Sequence, residues 1–339
     1  MNGKTTHQER LLSVLRAFPE RKIVVIGDTV ADQFVYGVIS RVSREAPVFI
    51  LRHEQTETTP GGAGNCAMNI AALGARVSLV SVVGNDEPGK ALLSRLKAAK
   101  INCEGVVLSD DISTVTKLRV LAGQLHSPRQ QVIRIDYEGK PLADSGLLST
   151  LTTQVRTNIG NSDAVIISDY NYGVAGEEVS SAIREASAKD SKPVFVDSRF
   201  RLSSFLGFTS ATPNEEEVDQ LLGGMANDSS KIAVAGETLR QKLGFRALLV
   251  TRGSQGMVLL EEGAPAVNIK AVGGSEAVDV TGAGDTVIAT YALGVASGAS
   301  FADAARLANY AGGLVVMKRG TASVRAQELE ESIIHSQLT

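Results

Sequence analysis

The run Asp279-Val280-Thr281-Gly282-Ala283-Gly284-Asp285-Thr286 carries the densest potential for chemistry, because small residues there lead straight into an apolar stretch. A loop of this kind opening a helix leaves successive N–H groups pointing into one concavity, with the helix dipole adding to their field. Gly282, Ala283 and Gly284 therefore outline a site for an anion, or for the charge that develops on a phosphoryl group in transfer. Asp285 stands beside that site. It is placed to accept a proton from an attacking hydroxyl or, more simply, to balance the helix dipole from the first turn.

Two further glycine loops invite chemistry. Pro60-Gly61-Gly62-Ala63-Gly64-Asn65-Cys66-Ala67 contains G-x-G-x-x-A, yet it follows the polar run Gln55–Thr59 and no acidic ribose partner follows it on a strand end. A dehydrogenase fits poorly. Gly61 and Gly62 would let a ligand approach the backbone closely, with Asn65 adding an amide at the helix start; the alternative is tight helix packing. Gly84-Asn85-Asp86-Glu87-Pro88-Gly89-Lys90-Ala91 has nearly the spacing of a P-loop. Ala91 lacks the hydroxyl that would bind Mg²⁺, and Asp86 and Glu87 put negative charge where phosphates would sit, so an ordinary strand–turn–helix is expected.

Elements that alternate must hold these loops. Ile23–Ile26, Val77–Val83, Ala164–Ile167, Val194–Val196 and Leu248–Val250 read as buried strands, and Ala67–Leu73, Lys90–Ala99, Glu177–Lys189, Ile232–Leu243 and Thr286–Ala296 as helices. The alternation predicts an α/β fold with a mostly parallel sheet and ligands outside the carboxyl ends of its strands. Segments 34–54 and 113–136 alternate without a helix between them and read as inserted antiparallel strands, either a lid over the cleft or an edge extension or dimer contact.

Composition narrows the partners. The 339 residues are 43% hydrophobic with a net charge of −3, which gives no footprint for nucleic acid or an anionic membrane surface. Val287–Ala299 is too short to span a bilayer, and the polar start of the chain shows no signal peptide, so a cytoplasmic protein is expected. Two cysteines make neither a metal cluster nor a disulfide framework.

The motifs taken jointly resemble the ribokinase-like, or PfkB, family of sugar kinases. Asp279–Asp285 resembles its D-x-x-G-A-G-D signature, and Pro60–Gly74 its G-G-x-x-x-N-x-A with the helix ending in Leu-Gly. Asn214-Glu215-Glu216-Glu217 resembles its N-x-x-E, and Thr251-Arg252-Gly253-Ser254-Gln255-Gly256 its T-[KR]-G-x-x-G nucleotide loop. These elements occur in family order from about residue 22 to 325. Within the family the chain most resembles the kinase module of enzymes that phosphorylate D-glycero-D-manno-heptose 7-phosphate at O1. Gly27-Asp28 with Asp32, Thr116–Val120, Arg134-Ile135-Asp136 and Ser168-Asp169-Tyr170 carry this likeness. That group often bears a fused nucleotidyltransferase, which is not expected here; one ribokinase-like domain over 1–339 is.

The resemblance implies a central mostly parallel sheet flanked by helices, a small β lid over the sugar, and ATP with Mg²⁺ as cofactors. Asp285 would be the base, and Gly282, Ala283 and Gly284 the anion hole. Asp28, Asp32, Gly61, Gly62, Asn65, Arg134 and Asp169 would meet the sugar; for Arg134 and Asp136 a cross-strand ion pair is the alternative. Asn214, Glu217, Thr251, Arg252, Gly253, Gly256 and Asn309 would serve the nucleotide, with Glu217 holding Mg²⁺ through water. An acidic first helical turn is the plainer reading of Glu215–Glu217. Asp279 and Thr281, with a residue near Ser323, would bind a monovalent cation such as K⁺. The heptose kinases usually read Asp-Tyr-x-Lys-Gly where Asp169–Gly173 stands, and Asp-Pro-Lys where Asp197-Ser198-Arg199 stands. Arg199 or Arg201 is then expected to supply the cation a sugar phosphate needs. A homodimer through the lid strands is expected. Kinases of another hexose, pentose or nucleoside, and a catalytically silent sensing module, are the remaining readings.

Overall fold

The computed structural model describes residues 6–123, 129–139, 142, 144–224, 231–273 and 277–335. The chain runs through α1 (His7–Arg16), β1 (Lys22–Gly27), a long hairpin of β2 (Thr29–Val42) and β3 (Phe49–Gly62), then α2 (Ala63–Ala72), β4 (Arg76–Gly84), α3 (Glu87–Ala98) and β5 (Asn102–Ser109). A second pair, β6 (Thr116–Gly123) and β7 (Gln130–Tyr137), precedes α4 (Ser145–Gly160), β8 (Ala164–Asp169), α5 (Glu177–Lys189), β9 (Val194–Ser198), β10 (Ser210–Ala211) and α6 (Glu215–Leu221). Then come α7 (Ile232–Leu243), β11 (Ala247–Thr251), β12 (Met257–Glu261), β13 (Val267–Ile269), α8 (Ala283–Ala296), α9 (Phe301–Val315) and α10 (Ala326–His335).

Nine strands form the main sheet in the order β13-β12-β11-β10-β9-β8-β1-β4-β5. Neighbours from β5 to β11 run parallel, and β12 and β13 are added antiparallel. The apolar run of β1 shows why both faces must be covered. Ile23 and Val25 pack into the core shared with α1, α2, α8 and α9, while Val24 and Ile26 pack into the core shared with α4, α5 and α7.

The inserted segments form a separate four-stranded sheet, β3-β2-β6-β7. β2–β3 and β6–β7 are antiparallel as expected, but β2 and β6 pair parallel from Ala31↔Thr116 to Val38↔Gly123. The reason lies in the main sheet: β2 leaves the carboxyl end of β1, and β6 follows β5, which runs in the same direction. The strands also reach further than 34–54 and 113–136, and residues 124–128 of the second segment lie outside the described ones.

The P-loop look-alike is a strand–turn–helix. Asp86 caps α3 by accepting from the Gly89 N–H at 2.9 Å, and it also accepts from the Thr114 hydroxyl at 2.6 Å, which ties the turn to the approach of β6. Its carboxylate fills the place a phosphate would need.

Candidate functional site

The loop before α8 turns at Gly282, whose φ of +75° lies in the left-handed region. No side chain caps α8; the Ala283 N–H turns back to the Val280 carbonyl at 3.2 Å, while those of Gly284 and Asp285 are left for a ligand. A Cβ on Gly282 would strike the Asn65 amide, so glycine is required there on two counts. The opening turn of α2 faces this turn. Asn69 links the two helices by accepting from the Thr286 hydroxyl at 3.0 Å and donating to the Asn65 carbonyl at 3.0 Å.

Asp285 sits at their meeting point, 3% exposed. Its Oδ2 accepts from Asn65 Nδ2 at 2.8 Å and its Oδ1 from the Tyr170 hydroxyl at 3.1 Å. Burial pushes its carboxyl up to about 7, against the pull of both donors, and the charge of Asp32 adds to the rise. Such a group is ionised or protonated in comparable amounts near neutrality, as a general base requires. Burial and the neighbouring carboxylates push Tyr170 far up, so its hydroxyl keeps its proton and stays a donor. Cys66, next to Asn65, is likewise driven up by burial and remains a packed thiol.

On the acceptor side, Asp32 projects from β2 with 5% exposure and pairs with Arg119 of β6. Gly61 lies against the Asp32 carboxylate and Gly62 against the Asp28 carbonyl, and neither place leaves room for a side chain. Asp32 with Gly61, and Asp285 with Asn65, are thus brought together at the start of α2, with Tyr170 reaching both Gly62 and Asp285. Two expected sugar contacts are corrected. Asp28 is 2% exposed and accepts from the backbone N–H groups of Tyr170, Tyr172 and Val174 at 2.8, 3.0 and 3.0 Å, so it shapes the loop after β8. Asp169 is fully buried and accepts from Arg201 and from the Ser198 hydroxyl, both at 2.6 Å. A carboxylate without water access needs such partners, and they leave it nothing to offer a sugar. Arg201 is committed by the same pair, which removes it as a free cation. Arg134 is exposed on β7 and pairs with Asp136 two residues along its own strand at 2.9 Å, an in-strand pair rather than a cross-strand one.

A cavity of about 230 Å³ lies between the 251–257 turn and the start of α8. Val272, Val280, Val287 and Val316 give it apolar walls, with Thr251, Gly253, Gly256, Gly284 and Asn309 at its edge. A flat aromatic base suits such walls, and its phosphates would reach the α8 N–H groups. Asn309 donates to the Lys270 carbonyl at 2.7 Å. Arg252 is not on this lining; its Nε bonds Glu215 at 2.7 Å. Glu215, Glu216 and Glu217 do form an acidic first turn on α6, and Asn214 and Glu217 add a reciprocal capping box that the sequence reading did not foresee. Burial raises the Glu217 carboxyl, with Arg199 pulling it down, and burial drives Asp197 well up beside Asp285 and Glu217. Asp279 accepts from the N–H groups of Thr281 and Gly320 at 2.9 and 2.8 Å, which hold its carboxyl low despite burial. The Ser323 carbonyl accepts from Lys318 at 2.8 Å.

This cleft, with an open helix N-terminus, a buried carboxylate tuned to neutrality and an apolar base pocket, agrees with comparison to known proteins. The pfkB family carbohydrate kinase profile matches residues 20–328. The chain belongs to the pfkB family of carbohydrate kinases. It is 42% identical over 323 residues to the bifunctional protein HldE of Photobacterium profundum, and 39% identical over 321 to that of Pseudomonas aeruginosa. These alignments cover 94% of this chain and 65% of each relative, so the chain spans about two thirds of their length at most. The fold resembles Arabidopsis thaliana ribokinase complexed with ribose and ATP (TM-score 0.70, 22% identity, covering 92% of this chain and 98% of that one). It also resembles Escherichia coli phosphofructokinase-2 in complex with substrates and products (TM-score 0.74, 19% identity, covering 93% and 99%).

Membership of this family makes the chain a carbohydrate kinase, a phosphotransferase with an alcohol group as acceptor. Among its described residues no helix is long and apolar enough to cross a membrane. Nor does any group of three His, Cys, Asp or Glu lie close enough to hold a metal alone. Sequence reading gave no role to Tyr170, Asp197 or Arg119. Tyr170 and Arg119 stood inside the quoted likeness to the heptose kinases, but no spacing in the chain ties 170 to 285 or 119 to 32.

Proposed function

We propose that this kinase transfers the γ-phosphoryl group of ATP to O1 of D-glycero-D-manno-heptose 7-phosphate, toward the ADP-heptose precursor of the lipopolysaccharide core. The observation that carries the reading is Asp285, buried at the uncapped start of α8 in a chain 42% identical to an HldE protein. Asp285 takes the proton of the acceptor hydroxyl as its oxygen attacks the γ-phosphorus. The N–H groups of Gly282, Gly284 and Asp285 meet the charge on the transferring group, the Ala283 N–H being held by the Val280 carbonyl. Asp32 orients sugar hydroxyls against Gly61 and Gly62. Mg²⁺ would neutralise the phosphates, held through water by Glu217, whose half-buried, raised carboxyl beside Asp197 suits a cation.

The lid face over the cleft supports a phosphorylated sugar. Asp32, Lys117 and Asp136 share one row of the small sheet, and Phe34, Arg119 and Arg134 the next. Arg119 and Arg134 stand opposite each other, Arg119 held by the buried Asp32 and Arg134 by Asp136 on the exposed strand, so Arg134 is the one that a sugar phosphate could draw off its partner. Arg134 thus takes over the task first expected of Arg201, and Arg199 is left at the exposed rim near Glu217. ATP use fits the cytoplasm, and we treat 1–339 as one kinase domain with β2, β3, β6 and β7 as its lid. A homodimer through the lid's outer face, where Ile133 and Ile135 are exposed, is part of the proposal, as is K⁺ at the loop of Asp279 and Thr281.

A panel of acceptors with ATP tests the substrate. Heptose 7-phosphate should exceed unphosphorylated heptose, ribose and fructose 6-phosphate by at least roughly a hundredfold in kcat/KM, the value of a charged recognition contact or two. Equal use of the neutral heptose would refute the phosphosugar reading.

A further inference from the structure

Tyr170 is held at three points. Its N–H donates to the Asp28 carboxylate at 2.8 Å, its ring edge lies over Gly62, and its hydroxyl donates to Asp285 at 3.1 Å. Asp28 fixes the following turn as well, through the N–H groups of Tyr172 and Val174. A continuous chain of contacts thus runs from the end of β1, through the loop after β8, to the carboxylate on α8. A carboxylate has about four acceptor directions. Asn65 uses one on Oδ2 and Tyr170 one on Oδ1, so the carboxylate plane is fixed and each oxygen keeps an acceptor direction for a further donor.

We infer that Tyr170 is a positioning residue for phosphoryl transfer: its hydroxyl holds the Asp285 carboxylate in the orientation and ionised state that receive the acceptor's proton, and Asp28 holds Tyr170 in place. This rests on Asp285 being the base. Tyr170 itself exchanges no proton, since its hydroxyl stays protonated. Its hydrogen bond stabilises the charged carboxylate selectively. The other groups around Asp285 are Asn65 and Cys66 on α2, Asp197 on β9 with Glu217 beyond it on α6, and Asp32 on β2 with its partner Arg119 on β6. None of them donates to Oδ1.

The test is the pH profile of kcat in Tyr170→Phe. Loss of the donor raises the carboxyl by about one pH unit, so kcat falls about fivefold at pH 7 and returns near the wild-type value at pH 9, with KM for ATP unchanged. A loss equal at pH 7 and pH 9, or no loss at either, overturns the inference. Should Tyr170→Phe fold poorly by thermal melting, 3-fluorotyrosine at position 170 keeps the shape and makes a stronger donor. It should move the acid limb downward, and an unmoved limb overturns the inference. Asp285→Asn run alongside separates the two claims. Normal turnover in that variant removes the base itself, whereas an inactive Asp285→Asn with a pH-independent defect in Tyr170→Phe removes only the role of Tyr170.

Discussion

Asn65 Nδ2 and Asp285 Oδ2, 220 residues apart in the chain, meet at 2.8 Å in a buried contact between the first turns of α2 and α8. The two glycine loops that the sequence offers as separate ligand sites are therefore one site. Asn65 pins the carboxylate from one side while Gly282, lacking a side chain, lets the amide come that close.

Asp285→Asn is expected to keep ATP binding within about twofold and to lower kcat by roughly 10²–10⁴, the usual contribution of a general base. Isothermal titration with ATP and a coupled rate assay check the two halves.

The same variant should be more stable than the parent in alkali. The carboxyl's ordinary value of 3.8 rises to about 7 in the fold, so the folded state binds the proton more tightly than the unfolded one. Its charge therefore costs nothing below about pH 4, costs more as pH rises toward 7, and reaches an upper bound of about 4 kcal/mol above that. Urea melts should show Asp285→Asn gaining about 1–4 kcal/mol over wild type at pH 8.5, narrowing to less than half at pH 5. A gain that grows as pH falls would contradict the assignment.

Gly282→Val places a side chain against the Asn65 amide and a branched residue at positive φ. Strain of about 1–3 kcal/mol in thermal or urea melts, with kcat reduced at least about a hundredfold, is the expected outcome.

Arg201→Ala separates structure from recognition. Asp169 would be left buried with an uncompensated charge, at a cost of about 3–5 kcal/mol in denaturant melts, while KM for the sugar phosphate should stay unchanged in the folded fraction. Arg134→Ala should do the reverse. Its side chain is exposed, so stability stays within about 0.5 kcal/mol, and KM for the sugar phosphate rises severalfold.

Much of the fold was legible because burial imposes patterns. The uninterrupted apolar runs of β1 and β8 announce strands covered on both faces, and the helices 177–189 and 232–243 have the bounds their periodicity predicts. β10 escaped notice because Ser210–Ala211 is too short for any period, and the parallel β2–β6 pairing depends on where the main sheet releases the chain. At the site, the α8 turn was readable from small residues at fixed spacing. Asp28 and Asp169 misled because an acidic residue at a strand end looks the same whether it meets a ligand or backbone N–H groups and an arginine. Only the fold shows which partners arrive. Tyr170 illustrates the converse, a residue whose task is set entirely by a contact 115 positions away.

The measurement closest to the centre of this account is ³¹P NMR of the product from ATP and D-glycero-D-manno-heptose 7-phosphate. The account predicts a second phosphorus resonance coupled to the anomeric proton, formed by the wild type and abolished in Asp285→Asn. Phosphorylation at another hydroxyl, no transfer to this sugar, or full activity in Asp285→Asn would contradict it.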